Sequence, residues 1–250
     1  MRLALIGYGK MGKVLESLAA ERGHQIVAIV DPTMPGARAR LTPEAVAPAE
    51  VCLEFTHPAA AADNLLRLTE WGKPIVTGTT GWLARLDEVT AVVARRGNAL
   101  VWGANFSVGV NLFYRLVARA AELFGALDDR DFYIMEAHHR AKADAPSGTA
   151  RRLAEILLER AAAKTVPAPP ALDRAIRPDE LQTVSVRAGW ITGTHRVGIE
   201  GPHDTIVLEH TARSREGFAA GAIKAAEWLP SAPPGLYRFE DVLDRILARG

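Results

Sequence analysis

Apolar residues in this chain follow two rhythms. Within residues 2–7 the run Leu3-Ala4-Leu5-Ile6 is unbroken, as in a short strand buried on both faces of a parallel sheet. Val14, Leu15 and Leu18 then recur at helical spacing to about Arg22, and Gly23 closes that segment. Residues 25–30 form a second strand-like run ended by Asp31. Residues 32–50 hold four prolines and little periodicity, which predicts a loop with a short helix. Residues 51–55 read as a third strand and 58–71 as a helix with Pro58 in its first turn. Residues 74–77 read as a fourth strand, 84–96 as a helix and 99–102 as a fifth strand. Strands alternating with helices predict an α/β fold with a doubly wound parallel sheet.

Past residue 102 the pattern changes. A long helix reaches Phe124, with Ser107 or a neighbour as its cap. A strand follows over 132–135, then a helix from Ser147 to about Ala163. Residues 165–178 carry four prolines and read as an irregular crossing. Residues 183–188, 194–200 and 205–212 alternate apolar and polar, with Gly201-Pro202-His203-Asp204 turning the last pair. They predict an α+β domain with an antiparallel or mixed sheet. A helix starts near Arg213, residues 228–237 read as a proline-rich loop, and 240–248 as a short last helix. The expected division is a first domain of residues 1–106 and 214–250, with the terminal helices packed back on it. The second domain takes residues 107–213.

Composition adds mainly exclusions. With 250 residues, 48% hydrophobic and 24% charged, the chain has an ordinary globular mix and enough length for sizeable cores. A net charge of +1 gives no electrostatic case for nucleic acid or an anionic membrane. The single cysteine, Cys52, lies in an apolar run and is expected to be a buried, inert thiol. No apolar run reaches the roughly 18 residues of a membrane span, and the N-terminus has no signal-peptide layout. A cytoplasmic protein is expected.

The first candidate site is Gly7-Tyr8-Gly9-Lys10-Met11-Gly12, set between the first strand and the first helix. In this pattern the first glycine makes the turn, the second admits a pyrophosphate to the backbone, and the third lets helix pack on strand. Asp31, nineteen residues after Gly12 at the end of the second strand, is where an acid can bind a ribose diol. The plainer reading is a glycine-rich turn with no ligand. Gly78-Thr79-Thr80-Gly81 stands at the carboxyl end of the fourth strand, where open α/β sheets place ligand contacts; a simple turn fits that tetrapeptide nearly as well.

The second candidate site is residues 136–149, a strand-to-helix connection carrying Glu136, His138, His139, Arg140, Lys142 and Asp144, then Ser147 and Thr149. Pro146 cannot extend a strand ladder, and Ser147 suits an N-cap. Backbone N–H groups at Gly148 and Thr149 would then face an anion. The histidines, Arg140 and Lys142 offer positive charge and transferable protons. The competing reading is a solvated basic loop with an ordinary cap. His24, His195, His203 and His210 each stand alone in the sequence. Each is expected to be a satisfied or exposed histidine, and no ligand spacing suggests a metal.

These motifs, with Phe55-Thr56-His57-Pro58, Asn105-Phe106-Ser107-Val108-Gly109 and Arg213-Ser214-Arg215-x-Gly217-Phe218-Ala219, resemble the 4-hydroxy-tetrahydrodipicolinate reductase (dihydrodipicolinate reductase) family. They span nearly the whole chain in order, and the H-H-R-x-K-x-D-x-P-S-G-T run is highly specific. The resemblance implies a Rossmann-like dinucleotide-binding domain and a substrate domain that builds a homotetramer. It implies NADH or NADPH reducing a cyclic imine dicarboxylate on the diaminopimelate route to lysine. His138 would be the general acid/base and Lys142 a proton donor. His139, Gly148 and Thr149 would hold substrate carboxylates. Gly7, Tyr8, Gly9, Lys10, Met11, Gly12 and Asp31 would hold the cofactor, and Gly78, Thr79, Thr80, Ala104, Asn105, Phe106 and Ser107 would line its nicotinamide side. Asp31-Pro32-Thr33 carries no arginine directly after the acid, which favours NADH over a 2′-phosphorylated cofactor; Arg38 or Arg40 is the counter-charge that could narrow the preference. A related nicotinamide-dependent dehydrogenase and a non-catalytic nucleotide sensor are the alternatives. The joint presence of His138 and Lys142 argues against the sensor.

Overall fold

A computed structural model describes residues 1–248. The first elements are β1 (Arg2–Ile6), α1 (Lys10–Glu21), β2 (Gln25–Val30), α2 (Pro43–Val46), β3 (Val51–Glu54), α3 (Pro58–Glu70), β4 (Ile75–Thr77), α4 (Leu86–Arg96) and β5 (Ala99–Trp102). Then come α5 (Val108–Phe124), β6 (Asp131–His138), α6 (Gly148–Arg160), β7 (Val166–Pro167), β8 (Glu180–Arg187), β9 (Thr194–Glu200) and β10 (Thr205–Thr211). The last are α7 (Glu216–Trp228), β11 (Gly235–Arg238) and α8 (Phe239–Leu247). The chain folds as two units, one of Met1–Val108 with Arg215–Gly250 and one of Gly109–Ser214.

The first unit is built on a six-stranded sheet in the order β11-β5-β4-β3-β1-β2, every pair parallel. Helices cover both faces, which is why β1 is apolar and buried from Leu3 to Ile6. Leu3 and Leu5 enter one core with Leu15, Ala219, Ala222 and Ile223, while Ala4 and Ile6 enter the other with Ala61, Leu65 and Val89. Fully burying one such leucine contributes about 1.5–3 kcal/mol. Small residues along α7 let it lie close to its neighbours: a Cβ on Gly221 would come within 1.7 Å of the Phe106 carbonyl oxygen. Cys52 is buried in β3, and burial pushes its thiol up to about 12.

Three segments differ from the sequence reading, the first being β6, which runs on through Glu136, Ala137 and His138, residues expected in the strand-to-helix connection. Gly235–Arg238, expected as loop, is strand β11, paired in parallel with β5 from Gly235 opposite Ala99 to Arg238 opposite Trp102. Two prolines precede these four residues, three half-exposed and Arg238 exposed, so their pairing depends on the neighbour strand and not on local pattern. Val166 and Pro167, expected within an irregular crossing, form the short edge strand β7 against β8.

The second unit carries a five-stranded mixed sheet in the order β10-β9-β6-β8-β7. β6 pairs in parallel with β8 and antiparallel with β9, and β9 and β10 form the expected hairpin. One face packs Phe132, Ile134, Val197 and Ile199 against Phe113 and Val117 of α5 and Leu153 and Leu157 of α6. The other face leaves Val184, Val186 and Val207 exposed. No helix among the described residues is long and apolar enough to cross a membrane.

Candidate functional site

In the first unit the site is made by missing side chains. Gly7 has φ +91°, and a Cβ there would lie 2.3 Å from the Phe55 carbonyl oxygen. A Cβ on Gly12 would lie 2.6 Å from the Gly7 oxygen, so α1 packs directly on the turn. At Gly9, by contrast, a Cβ would meet nothing within 4 Å. Gly9 is the N-cap of α1 and no side chain caps it. The start of the helix therefore opens into a cavity of about 260 Å³ lined by Gly9, Lys10, Met11, Phe55, Thr56, Gly78 and Thr79. An open backbone at a helix start, beside an apolar ring and two threonines, fits a dinucleotide's pyrophosphate.

The floor of this cradle is a buried polar network. Glu54, at the end of β3, is wholly buried and accepts from the Thr77 hydroxyl at 2.6 Å, from the Thr56 hydroxyl and from the Asn64 amide at 3.5 Å. The Thr56 N–H donates to Thr79 Oγ1 at 2.9 Å, tying the β3 and β4 loop ends together. Asp31 stands at the end of β2. One of its oxygens accepts from the Tyr8 N–H at 2.7 Å, and the other from the Thr33 N–H and hydroxyl at 2.8 and 2.7 Å. The Thr33 hydroxyl and the Tyr8 N–H hold its carboxyl below the usual range. Asp31 thus braces the glycine turn itself. Arg38 bridges β2 at Val30, with its N–H on the Ile29 carbonyl at 2.9 Å and its carbonyl accepting from the Asp31 N–H at 3.0 Å. Its side chain and that of Arg40 are exposed.

In the second unit the site is made by ionisable side chains. Strand register brings them together: Glu136 lies opposite His195 on β9, and His138 lies beside Arg187 on β8. Glu136 Oε1 accepts from Arg187 Nη2 at 2.6 Å and from the Ser147 N–H at 3.2 Å, while Oε2 pairs with His138 Nδ1. Burial alone would raise the Glu136 carboxyl, but Arg187 first, then Ser185 and His138, hold it at about 2. Burial moves His138 below its ordinary value; Glu136 opposes that shift, while Lys142 and Arg187 add to it. His195 is buried, its ring edge-on to His138 at 5.0 Å. Burial, with His138 beside it, takes it down to about 4. Its Nε2 meets the Ser147 hydroxyl at 3.0 Å.

Ser147 also caps α6 through Ala150 N–H at 3.2 Å, so Gly148 and Thr149 open that helix. The loop before it is stitched to the sheet by Arg187, which donates to the carbonyls of Lys142 at 3.3 Å and Asp144 at 2.6 Å. Lys142 Nζ donates to Asp144 Oδ1 at 2.6 Å, and Arg140 lies 5.8 Å over the exposed Trp190 ring.

Residues 1–106 match the family model described as dihydrodipicolinate reductase, N-terminus, and residues 109–243 the one described as its C-terminus. The chain belongs to the dihydrodipicolinate reductase family. It is 36% identical over 243 residues to a 4-hydroxy-tetrahydrodipicolinate reductase of Christiangramia forsetii, covering 97% of this chain and 98% of that one. It is 35% identical over 257 residues to the enzyme of that name from Staphylococcus aureus, covering 97% and 100%. Among solved structures, the dipicolinate-bound dihydrodipicolinate reductase of Paenisporosarcina sp. has the same fold, with a TM-score of 0.78 at 23% identity over 97% of this chain and 99% of that one. The family implies a nicotinamide cofactor, and the glycine cradle is built to fit one.

Within this family member, Gly9, Lys10, Met11, Gly78 and Thr79 line one cavity. Thr80 and Ala104 are exposed. Asn105 Oδ1 accepts from the Ser107 N–H at 2.9 Å. The Phe106 ring is buried against Phe239 and Phe55, at 4.7 and 6.1 Å between centroids, so that side chain serves the core. His138 is buried; His139 and Lys142 are half-buried. Sequence reasoning did not find Glu136 as a partner of His138, nor Arg187, nor His195, which it left as a solitary histidine. Glu136 and His138 share one face of β6, two residues apart, and the pairing of β6 with β8 and β9 brings Arg187 and His195 to them. Glu136, His138 and His195 also place three potential metal donors within 4.8 Å of one another. Arg187 on Glu136 and Ser147 on His195 make the group a hydrogen-bonded chain.

Proposed function

We propose that the chain catalyses the NAD(P)H-dependent reduction of 4-hydroxy-tetrahydrodipicolinate to tetrahydrodipicolinate, in the diaminopimelate route to lysine. The observation that carries this is the loop from His138 to Thr149. It ends on the opened start of α6 and is clamped by Arg187, on a chain whose other unit carries a nucleotide cradle. When bound, the reduced nicotinamide supplies the hydride. The backbone at Gly148 and Thr149, with His139, holds a substrate carboxylate at the helix start. His138 acts as general acid/base, and Lys142, half-buried and bonded to Asp144, delivers the proton that completes the reduction. Gly7 to Gly12 hold the pyrophosphate, while Gly78 to Thr80 and Ala104 to Ser107 flank the nicotinamide.

NADH is the favoured cofactor in this reading. Asp31 offers hydroxyls an acceptor and repels a 2′-phosphate. Like charges about 4 Å apart repel by about 1 kcal/mol in water and about 4 at an effective dielectric near 20. Arg38, anchored beside Asp31 by backbone pairing, limits the preference. The exposed valines of the mixed sheet support assembly of a homotetramer through that face, and the biosynthetic role goes with a cytoplasmic location. The test is oxidation of NADH and NADPH by the purified protein with aldolase-generated substrate. Substrate-dependent oxidation with product formation is expected, faster with NADH; no turnover with either cofactor would refute the reading.

A further inference from the structure

The cluster around His138 does more than place an imidazole. It distinguishes the two ring nitrogens. Glu136 is wholly buried, with Oε1 occupied by Arg187 and the Ser147 N–H. Its remaining oxygen faces His138 Nδ1. An ionised carboxylate only accepts hydrogen bonds, so Nδ1 must carry the proton, and the neutral ring keeps its lone pair on Nε2.

The other nitrogen has its own guardian. Gly193 lies against Nε2: a Cβ built there would come 3.0 Å from Nε2 and 3.2 Å from the adjacent ring carbon Cδ2. Both are closer than ordinary van der Waals contact. Gly193 has φ +146°, and its carbonyl accepts from the Ala212 N–H at 2.8 Å, so the backbone is pinned beside the ring. Any side chain at this position would lie over the nitrogen that Glu136 leaves basic.

We propose that Glu136 and Gly193 are positioning residues that commit His138 to proton exchange through Nε2, the first by fixing the proton on Nδ1 and the second by keeping Nε2 uncovered. This rests on the acid/base role proposed above for His138. The charged and titratable groups around the ring are Glu136 on its own strand, Arg187 on β8, His195 on β9 and Lys142 in the following loop.

The direct test needs no substrate. Long-range proton–nitrogen spectra of the full chain labelled with ¹⁵N-histidine would be assigned with a His138→Gln variant. They should show His138 as the Nδ1–H tautomer near neutral pH, and Glu136→Gln should convert it to a mixture. A wild-type Nε2–H tautomer would overturn the assignment whatever the enzyme's activity, so this failure is separable from failure of the functional reading. In turnover, Glu136→Gln should lower kcat roughly 10- to 100-fold, at or below the lower end of the about 10²–10⁴-fold that a general acid/base supplies. It should leave KM for the nicotinamide cofactor unchanged and move the pH profile. Gly193→Ala should lower kcat while keeping the Nδ1–H tautomer. Full kcat in that variant would overturn the role of Gly193.

Discussion

Among the described residues, Glu54 and Glu136 are both wholly buried near the ends of sheet strands, and they are satisfied in opposite ways. Glu54 in the first unit is met by the hydroxyls of Thr56 and Thr77 and the amide of Asn64. Glu136 in the second is met by the Arg187 guanidinium, the His138 ring and one backbone N–H. Neutral donors around a carboxylate lock loop ends in place. A guanidinium and an imidazole around one fix where a proton resides. The first unit therefore presents a ligand with shape, and the second with charge and protons. Damage to the first should appear in binding and folding, and damage to the second in rate and pH dependence.

The largest expected break is in rate. Lys142→Ala should lower kcat by about 10²–10⁴-fold, the usual contribution of a positioned general acid, with cofactor affinity unchanged. Steady-state kinetics beside cofactor titration decides this, and a kcat within about threefold of wild type, under 1 kcal/mol, would remove Lys142 from the chemistry.

Next comes an acid sensitivity of the second unit. His195 titrates near 6.5 when unfolded and at about 4 when folded. The unfolded chain thus binds the extra proton first, and stability falls as pH drops from about 6.5 towards 4. At about 1.4 kcal/mol per pKa unit, the loss approaches about 3 kcal/mol. Glu136, with its carboxyl at about 2 when folded, adds a further loss as pH falls from about 4.5 towards 2. Urea midpoints measured down this range should flatten between pH 6.5 and 4 in His195→Gln; an unchanged slope would show that another group carries the effect.

Glu54→Leu should cost about 1–3 kcal/mol by orphaning the buried Thr77 hydroxyl. It should weaken cofactor binding through the Thr56–Thr79 tie and leave the shape of the kcat–pH profile intact. A displaced profile would erase the contrast between the two glutamates. The smallest effect on stability belongs to Gly9→Ala, where the added methyl meets open space. Unfolding should change by no more than about 0.5 kcal/mol, while the dissociation constant for NADH rises because the methyl intrudes on the ligand's approach. Unaltered NADH affinity by fluorescence titration would mean that the backbone there is not approached.

How much of this was readable in advance follows from the range of each interaction. The β1–glycine turn–α1–β2 unit was legible because a continuous apolar run, Gly7, Gly9, Gly12 and Asp31 all act within thirty-one residues. The site stretch of residues 136–149 was legible because its ionisable groups are crowded in sequence, although its first three residues belong to β6. Glu136 was visible in that crowd, but its partners were not. Arg187 and His195 reach it only through the register of β6 with β8 and β9, and nothing local encodes register across some fifty residues. Asp31 was placed correctly at the end of β2, yet its bonds to Tyr8 and Thr33 depend on the path of the loop. Strand β11 was hidden for a similar reason: Gly-Leu-Tyr-Arg after two prolines has no alternation to read.

The position of β11 and α7 has a consequence for how the protein is made. On the ribosome, the first hundred residues emerge with β5 lacking its β11 neighbour. Leu3, Leu5 and Val101 also still lack Ala219, Ala222 and Ile223 of α7. The Gly109–Ser214 unit is contiguous in sequence and holds its own core, so it can close while the earlier segment waits. A nascent chain stalled once Ser214 has left the ribosome, with α7 still inside, should therefore protect the later-made unit from protease while leaving the first-made one open to cutting.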